Sequence, residues 1–140
     1  MAKQPINVTA STLTLDRDVH SGTVVTVNRA AGCTITLPAA VGKGDEYTVY
    51  CGTTITSNSL KVQVANASDT MAGGVAISTD IAGITMLAGG TNDTITMSGT
   101  TTGGVAGSFV TLKDVAANVW MVSGFLCSTG VEATPFSAAV

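Results

Sequence analysis

The sequence predicts an all-β domain, a single β-sandwich or a jelly-roll-like or barrel variant of about eight to ten short strands, with little or no helix. Three observations predict it. Apolar and polar residues alternate with period two in short runs. Gly, Asn, Asp or Pro interrupts those runs every eight to twelve residues or so. No capped stretch of roughly ten or more residues carries apolar positions at i, i+3, i+4 and i+7.

The strands follow in order. In Cys33-Thr34-Ile35-Thr36-Leu37 the apolar set faces one side and the threonines the other, until Pro38 removes a ladder donor and stops the run. Leu60, Val62 and Val64 alternate with Lys61 and Gln63, and Ile95 and Met97 alternate with Thr94, Thr96 and Ser98. Residues 13–19, 23–28, 46–51, 109–113 and 119–127 supply further strands, and residues 75–77 and 84–88 supply shorter ones. The pairs Gly73-Gly74, Gly89-Gly90 and Gly103-Gly104 read as turns, where φ > 0 or close backbone approach is needed. Thr-Ile-Thr occurs at residues 34–36, 54–56 and 94–96, but the unequal intervals mark strand composition and not a repeat. The chain divides into an extended N-terminal arm (1–10), the sandwich (11–130) and an apolar C-terminal tail (131–140).

At 140 residues the chain suffices for one domain without a metal or disulfide staple. Charged residues make up 11% of it, less than half the usual share, so the surface must be built from Thr, Ser, Asn and Gly. Such an exterior suits strands and lowers the desolvation cost of being covered by a partner. Six basic residues scattered singly, within a net charge of −3, form no patch for nucleic acid. No apolar stretch is long enough to span a bilayer and the N-terminus has no signal-peptide pattern, which predicts a protein made in a cytoplasm with no membrane partner. Cys33, Cys51 and Cys127 are odd in number and widely spaced, as expected of buried free thiols.

Chemistry-bearing motifs are sparse. The only histidine, His20, lies in Asp16-Arg17-Asp18-Val19-His20-Ser21-Gly22. On an extended strand Asp18 and His20 would share a face while Ser21 pointed away, so no catalytic triad is offered. Asp16 and Asp18 are two carboxylates where a calcium loop needs more, and nothing in the spacing of His20, Cys33, Cys51 and Cys127 favours zinc. Gly42-Lys43-Gly44 lacks the frame of a phosphate loop. The aromatic residues are dispersed along the chain, with Trp120 expected in the core, so a sugar-binding cluster is not expected. The reading is a non-enzymatic protein with no catalytic, cofactor-binding or metal residues, and no cofactor.

The segments 22–32 (GTVVTVNRAAG), 36–40 (TLPAA) and 52–58 (GTTITSN) resemble a family of small tailed-phage capsid decoration proteins, also called cement or auxiliary head proteins. So do 64–73 (VANASDTMAG), 100–104 (TTTGG), 120–124 (WMVSG) and 133–137 (ATPFS), so that the likeness spans nearly the whole chain. The resemblance implies a structural virion protein on the capsid exterior, a β-rich homotrimer that binds the major capsid protein and clamps neighbouring capsomers. Icosahedral shells favour such closed three-fold oligomers. A tail-fibre or adhesin-like module binding a receptor or glycan is the alternative, since it shares the composition. The ends supply the expected contacts: Lys3, Gln4, Pro5 and Ile6 on an arm held extended by Pro5, and Pro135 and Phe136 on the tail, where Phe136 either folds back onto its own domain or packs on a neighbouring subunit as the largest anchor.

Overall fold

The computed structural model describes residues 3–140, which fold almost entirely into strands, 47% strand against 3% helix. Twelve strands occur in chain order: β1 (Ile6–Val8), β2 (Thr12–Thr14), β3 (Val24–Val27), β4 (Cys33–Thr36), β5 (Glu46–Cys51), β6 (Leu60–Gln63), β7 (Thr70–Ser78), β8 (Gly83–Leu87), β9 (Thr94–Met97), β10 (Phe109–Ala116), β11 (Val119–Cys127) and β12 (Phe136–Ser137). A single helical turn, α1 (Arg17–His20), joins β2 to β3. The larger sheet has seven strands in the order β1-β3-β5-β10-β11-β7-β8, and the smaller has five in the order β12-β9-β6-β4-β2. The two pack face to face as a sandwich, as expected.

The first half of the chain is coiled. It alternates between sheets at every strand, so that β1, β3 and β5 stack in parallel in the larger sheet while β2, β4 and β6 stack in parallel in the smaller. Ile6 pairs with Val25 and Val25 with Val49; Thr12 pairs with Thr34 and Thr34 with Lys61. Successive turns therefore consume unequal lengths of chain, which is why no fixed period is visible in the sequence. Of the Thr-Ile-Thr echoes, 34–36 is β4 and 94–96 falls in β9, both flanking β6, whereas 54–56 lies in a loop. The second half is built of hairpins: β7 with β8 and β10 with β11 are antiparallel, and β11 then lies parallel beside β7.

Inward positions of every strand meet between the sheets. Val25, Tyr47, Val49, Met71, Ile77, Val110, Leu112, Trp120 and Leu126 come from the larger sheet, and Cys33, Ile35, Leu60, Val62, Ile95 and Met97 from the smaller. Trp120 is buried at the centre, as its apolar surroundings predicted, edge-on to Tyr47 with ring centroids 5.7 Å apart. Burial pushes the Tyr47 hydroxyl up to about 12, with Asp45 adding to the effect.

Three expectations change. The strand at 13–19 stops at Thr14, because the Asp16 carboxylate accepts the N–H groups of Asp18 (2.9 Å) and Val19 (3.2 Å) and caps α1 instead. Asp18 and His20 thus sit on a helical turn and not on an extended strand. Gly73-Gly74 is no turn but the middle of β7, where a Cβ on Gly73, at φ +116°, would lie 2.3 Å from the Val122 carbonyl oxygen of β11. Finally, the two strands beyond the ten expected, β1 and β12, come from the arm and the tail, which both join the sheets.

Candidate interaction face

A row of rings crosses the outer surface of the larger sheet. β5, β10 and β11 are neighbours, with Tyr50 paired to Phe109 and Phe109 paired to Phe125. Each is out of phase with the core residues of its strand, Val49 and Cys51, Val110 and Leu112, and Leu126. Period-two alternation therefore points all three outward, at 38%, 37% and 41% exposure. With strands about 4.8 Å apart the row spans roughly 10 Å. The rings expected to be dispersed are thus brought together, since β5 and β10, distant in sequence, are adjacent in space.

Small and hydroxyl-bearing residues surround the rings. One step along the strands, Thr48, Thr111 and Ser123 form a parallel row in the same register, with the Thr48 and Thr111 hydroxyls 3.1 Å apart. The next row holds Glu46, Lys113 and Met121, of which Glu46 and Met121 are exposed. Beyond Phe125, Ala76 of β7 and Thr85 of β8 continue the ring row in register, and a shallow depression of about 380 Å³ opens against Phe125, lined by Ala76, Ile84 and Thr85. Aromatic along one row, with its charges confined to Glu46 and Lys113 two steps away, this face matches a protein-binding surface, where aromatic residues and Met are enriched at the core and charges lie toward the rim.

A buried carboxylate braces the face from one end. Asp114, on β10, accepts the N–H groups of Val41 (3.1 Å), Gly42 (2.6 Å) and Lys43 (3.2 Å), and Arg17 of α1 reaches it at 3.3 Å while pairing with Asp45. Burial disfavours the Asp114 anion, but the three backbone donors and Arg17 outweigh it and hold its carboxyl below the ordinary aspartate value. The arrangement fixes the 41–45 loop and α1 onto β10. It is structural, since every lone pair that would serve catalysis is already engaged.

The sequence-expected site residues are divided. Lys3, Gln4 and Pro5 are exposed, with Lys3 Nζ donating to the Ser21 carbonyl (2.7 Å) and Thr23 Oγ1 donating to that of Gln4 (2.9 Å). Ile6 is half-buried in β1. Pro135 and Phe136 are buried against their own domain: β12 pairs with β9, Thr96 N–H donates to the Pro135 carbonyl (2.8 Å), and the Asp93 carboxylate accepts the N–H of Ala139 (2.8 Å). Of the two placements expected for the tail, it takes the fold-back onto its own domain: Asp93 clasps it and Phe136 completes the chain's own core. Metal ligands are likewise kept apart. His20 Nδ1 accepts the Asp16 N–H (2.8 Å), Cys33 lies in the smaller sheet and Cys51 in the larger, and no group of three His, Cys, Asp or Glu among the described residues is placed to hold an ion.

The ring row was absent from the sequence-expected contacts, although one signal marks each member: an aromatic residue at the polar phase of an alternating strand. Compared with family models, curated proteins and solved structures, the chain matches none.

Proposed function

We propose that the protein is a structural virion protein, a capsid decoration subunit that binds the outer surface of a phage shell as a homotrimer and cements neighbouring capsomers. The observation that carries the reading is the outer face of the larger sheet, where Tyr50, Phe109, Phe125 and Met121 stand exposed and the ring row and the hydroxyl row beside it hold no charge. Covering such a face releases water from apolar surface and strips few charges of their hydration, which favours a stable contact with another protein. The resemblance of segments 22–32, 36–40, 52–58 and 120–124 to decoration proteins supports the major capsid protein as that partner. Three subunits acting together multiply modest individual contacts through effective concentration.

Copy number tests the reading. Decoration predicts tens to hundreds of copies over the head of each purified particle, and sedimentation of the isolated protein at three times the chain mass. A few copies confined to the tail would overturn it in favour of a second reading, a tail-fibre or adhesin-like module. One observation favours that alternative: three rings beside a row of hydroxyls is the pairing of apolar platform and hydrogen-bonding groups that a sugar chain uses.

A further inference from the structure

The larger sheet ends in two unlike edges. At one, β1 is led in by Lys3 and by Pro5, which has no N–H to offer a new strand. At the other, β8 carries no such guard. From Ile81 to Asn92 the chain has no charged residue and no proline. Ile81 at the hairpin tip is 97% exposed and Leu87 73% exposed. The hydrogen bonds between β7 and β8 decide which peptide groups remain free. Thr79 N–H donates to Ala82 (2.8 Å) and Ala88 N–H donates to Gly73 (2.9 Å), and with the register Val75 to Met86 and Ile77 to Ile84 the bonded pairs alternate. Ile84 and Met86 therefore turn their N–H and C=O toward β7. Gly83, Thr85 and Leu87 turn theirs outward, where no turn, loop or side chain among the described residues bonds them.

We infer that this edge pairs with the same edge of a second copy of this chain, β8 antiparallel to β8 about a two-fold axis at Thr85. The register is self-complementary. The alternation places Thr85 against the partner's Thr85 as a hydrogen-bonded pair, and threonine pairs are favourable across antiparallel strands. On the outer face Leu87 lies over the partner's Gly83, a bulky side chain over a position with none. On the opposite face Ile84 meets the partner's Met86, covering an Ile84 side chain that the smaller sheet leaves half-exposed. A charged residue in such a strand would meet its own like near the axis, and this strand has none. The free N–H and C=O groups of Gly83 and Leu87 complete the ladder, joining two larger sheets edge to edge. The contact is two-fold, so it is separate from the three-fold association proposed above, and it would join two trimers into a closed pair.

Two experiments test it on the intact protein. Hydrogen-bonded antiparallel pairs hold their Cα atoms about 5.5 Å apart, inside the span of about 4.4–6.8 Å that a disulfide bridges. Thr85→Cys under mild oxidation is expected to give a disulfide-linked species of two chains, and no larger, at least about tenfold faster than Ser123→Cys, an exposed control at the centre of the sheet face. Thr85→Asp, which sets two like charges against each other, and Thr85→Pro, which removes only an outward N–H and leaves the β7 ladder whole, are each expected to halve the mass of the largest species that the unmodified protein forms on sedimentation at high concentration. Crosslinking of Thr85→Cys no faster than the control overturns the inference, and so does an unchanged mass distribution in both Thr85→Asp and Thr85→Pro. Failure of the unmodified protein to bind shells, with Thr85→Cys crosslinking intact, would count against the decoration reading alone.

Discussion

The two outer faces of the sandwich use the same strand template to opposite ends. On the smaller sheet Thr12, Thr34, Lys61 and Thr96 lie in register across four strands, and Thr14, Thr36, Gln63, Thr94 and Ser137 form the row beside them. All are polar and, apart from the buried Thr94, whose hydroxyl donates to Asp93, they can hydrogen-bond to water, so stripping that face would forfeit hydration along most of its length. The larger sheet also places Thr or Ser at many outward positions, but it substitutes Tyr50, Phe109 and Phe125 along one rung. Three side chains thus convert a solvated surface into one that gains by being covered, while the cores beneath the two faces are equally apolar.

The largest expected effect breaks this contrast directly. The triple variant Tyr50→Asp, Phe109→Asp, Phe125→Asp is expected to weaken co-sedimentation with shells lacking the protein by about 100-fold or more, as removal of an aromatic hot-spot cluster does. The matched triple Thr34→Asp, Thr36→Asp, Thr96→Asp on the other face is expected to change it by less than about threefold, in keeping with rim-like polar positions. Equal losses from both triples would end the distinction between the faces.

Smaller effects ask what keeps the ring row flat. Trp120→Ala, beneath β11, is expected to lower stability to denaturant by about 3–5 kcal/mol. Asp114→Asn is expected to cost about 3 kcal/mol, since it leaves buried N–H groups and Arg17 without their anion. Asp114 also sets an acid dependence. Its folded pKa is depressed, so the stability it contributes is complete above its unfolded value, about 4, and is lost as pH falls through the folded one. Thermal scans should show a melting temperature that declines below about pH 4, with a shallower decline in Asp114→Asn. An identical acid limb in the variant would remove Asp114 from that role.

The smallest effect concerns the thiols. Cys33 and Cys51 are buried, one in each sheet, and Cys127 is half-buried at the end of β11. Burial, and then the neighbouring Cys127, pushes the Cys51 thiol up to about 11, and burial raises Cys33. A thiol reagent at about pH 8 should label Cys127 alone in the native protein, with Cys33 and Cys51 reacting only after denaturant is added. Mass spectrometry of the labelled peptides reads this.

Much of the architecture was legible one strand at a time. Alternation located β5 and β11 at their observed bounds, and Pro38 and the glycines marked ends. What alternation does not encode is which strand lies beside which. Parallel coils and antiparallel hairpins impose the same period of two, so neither the coiled first half nor the β5 to β10 junction announced itself. The ring row shared that fate: each of Tyr50, Phe109 and Phe125 could be read as outward, but their adjacency belongs to the topology. The ends were only partly legible for a related reason. Segments of two and three residues, β12 and β1, are too short to show a period, yet an edge with free peptide groups gives even these a place.

The coiled connectivity of the first half also bears on how the protein comes to be folded. β5 acquires its second neighbour only from β10, and β7 is flanked on one side by β11, so the middle of the larger sheet cannot close until nearly the whole chain has left the ribosome. Non-local pairing of this kind places folding in the range of milliseconds to seconds. In that interval the exposed rings and the unguarded β8 edge of each new chain are available to other unfinished chains. High-level synthesis should therefore favour aggregates unless assembly partners, or a chaperone, meet the chain early.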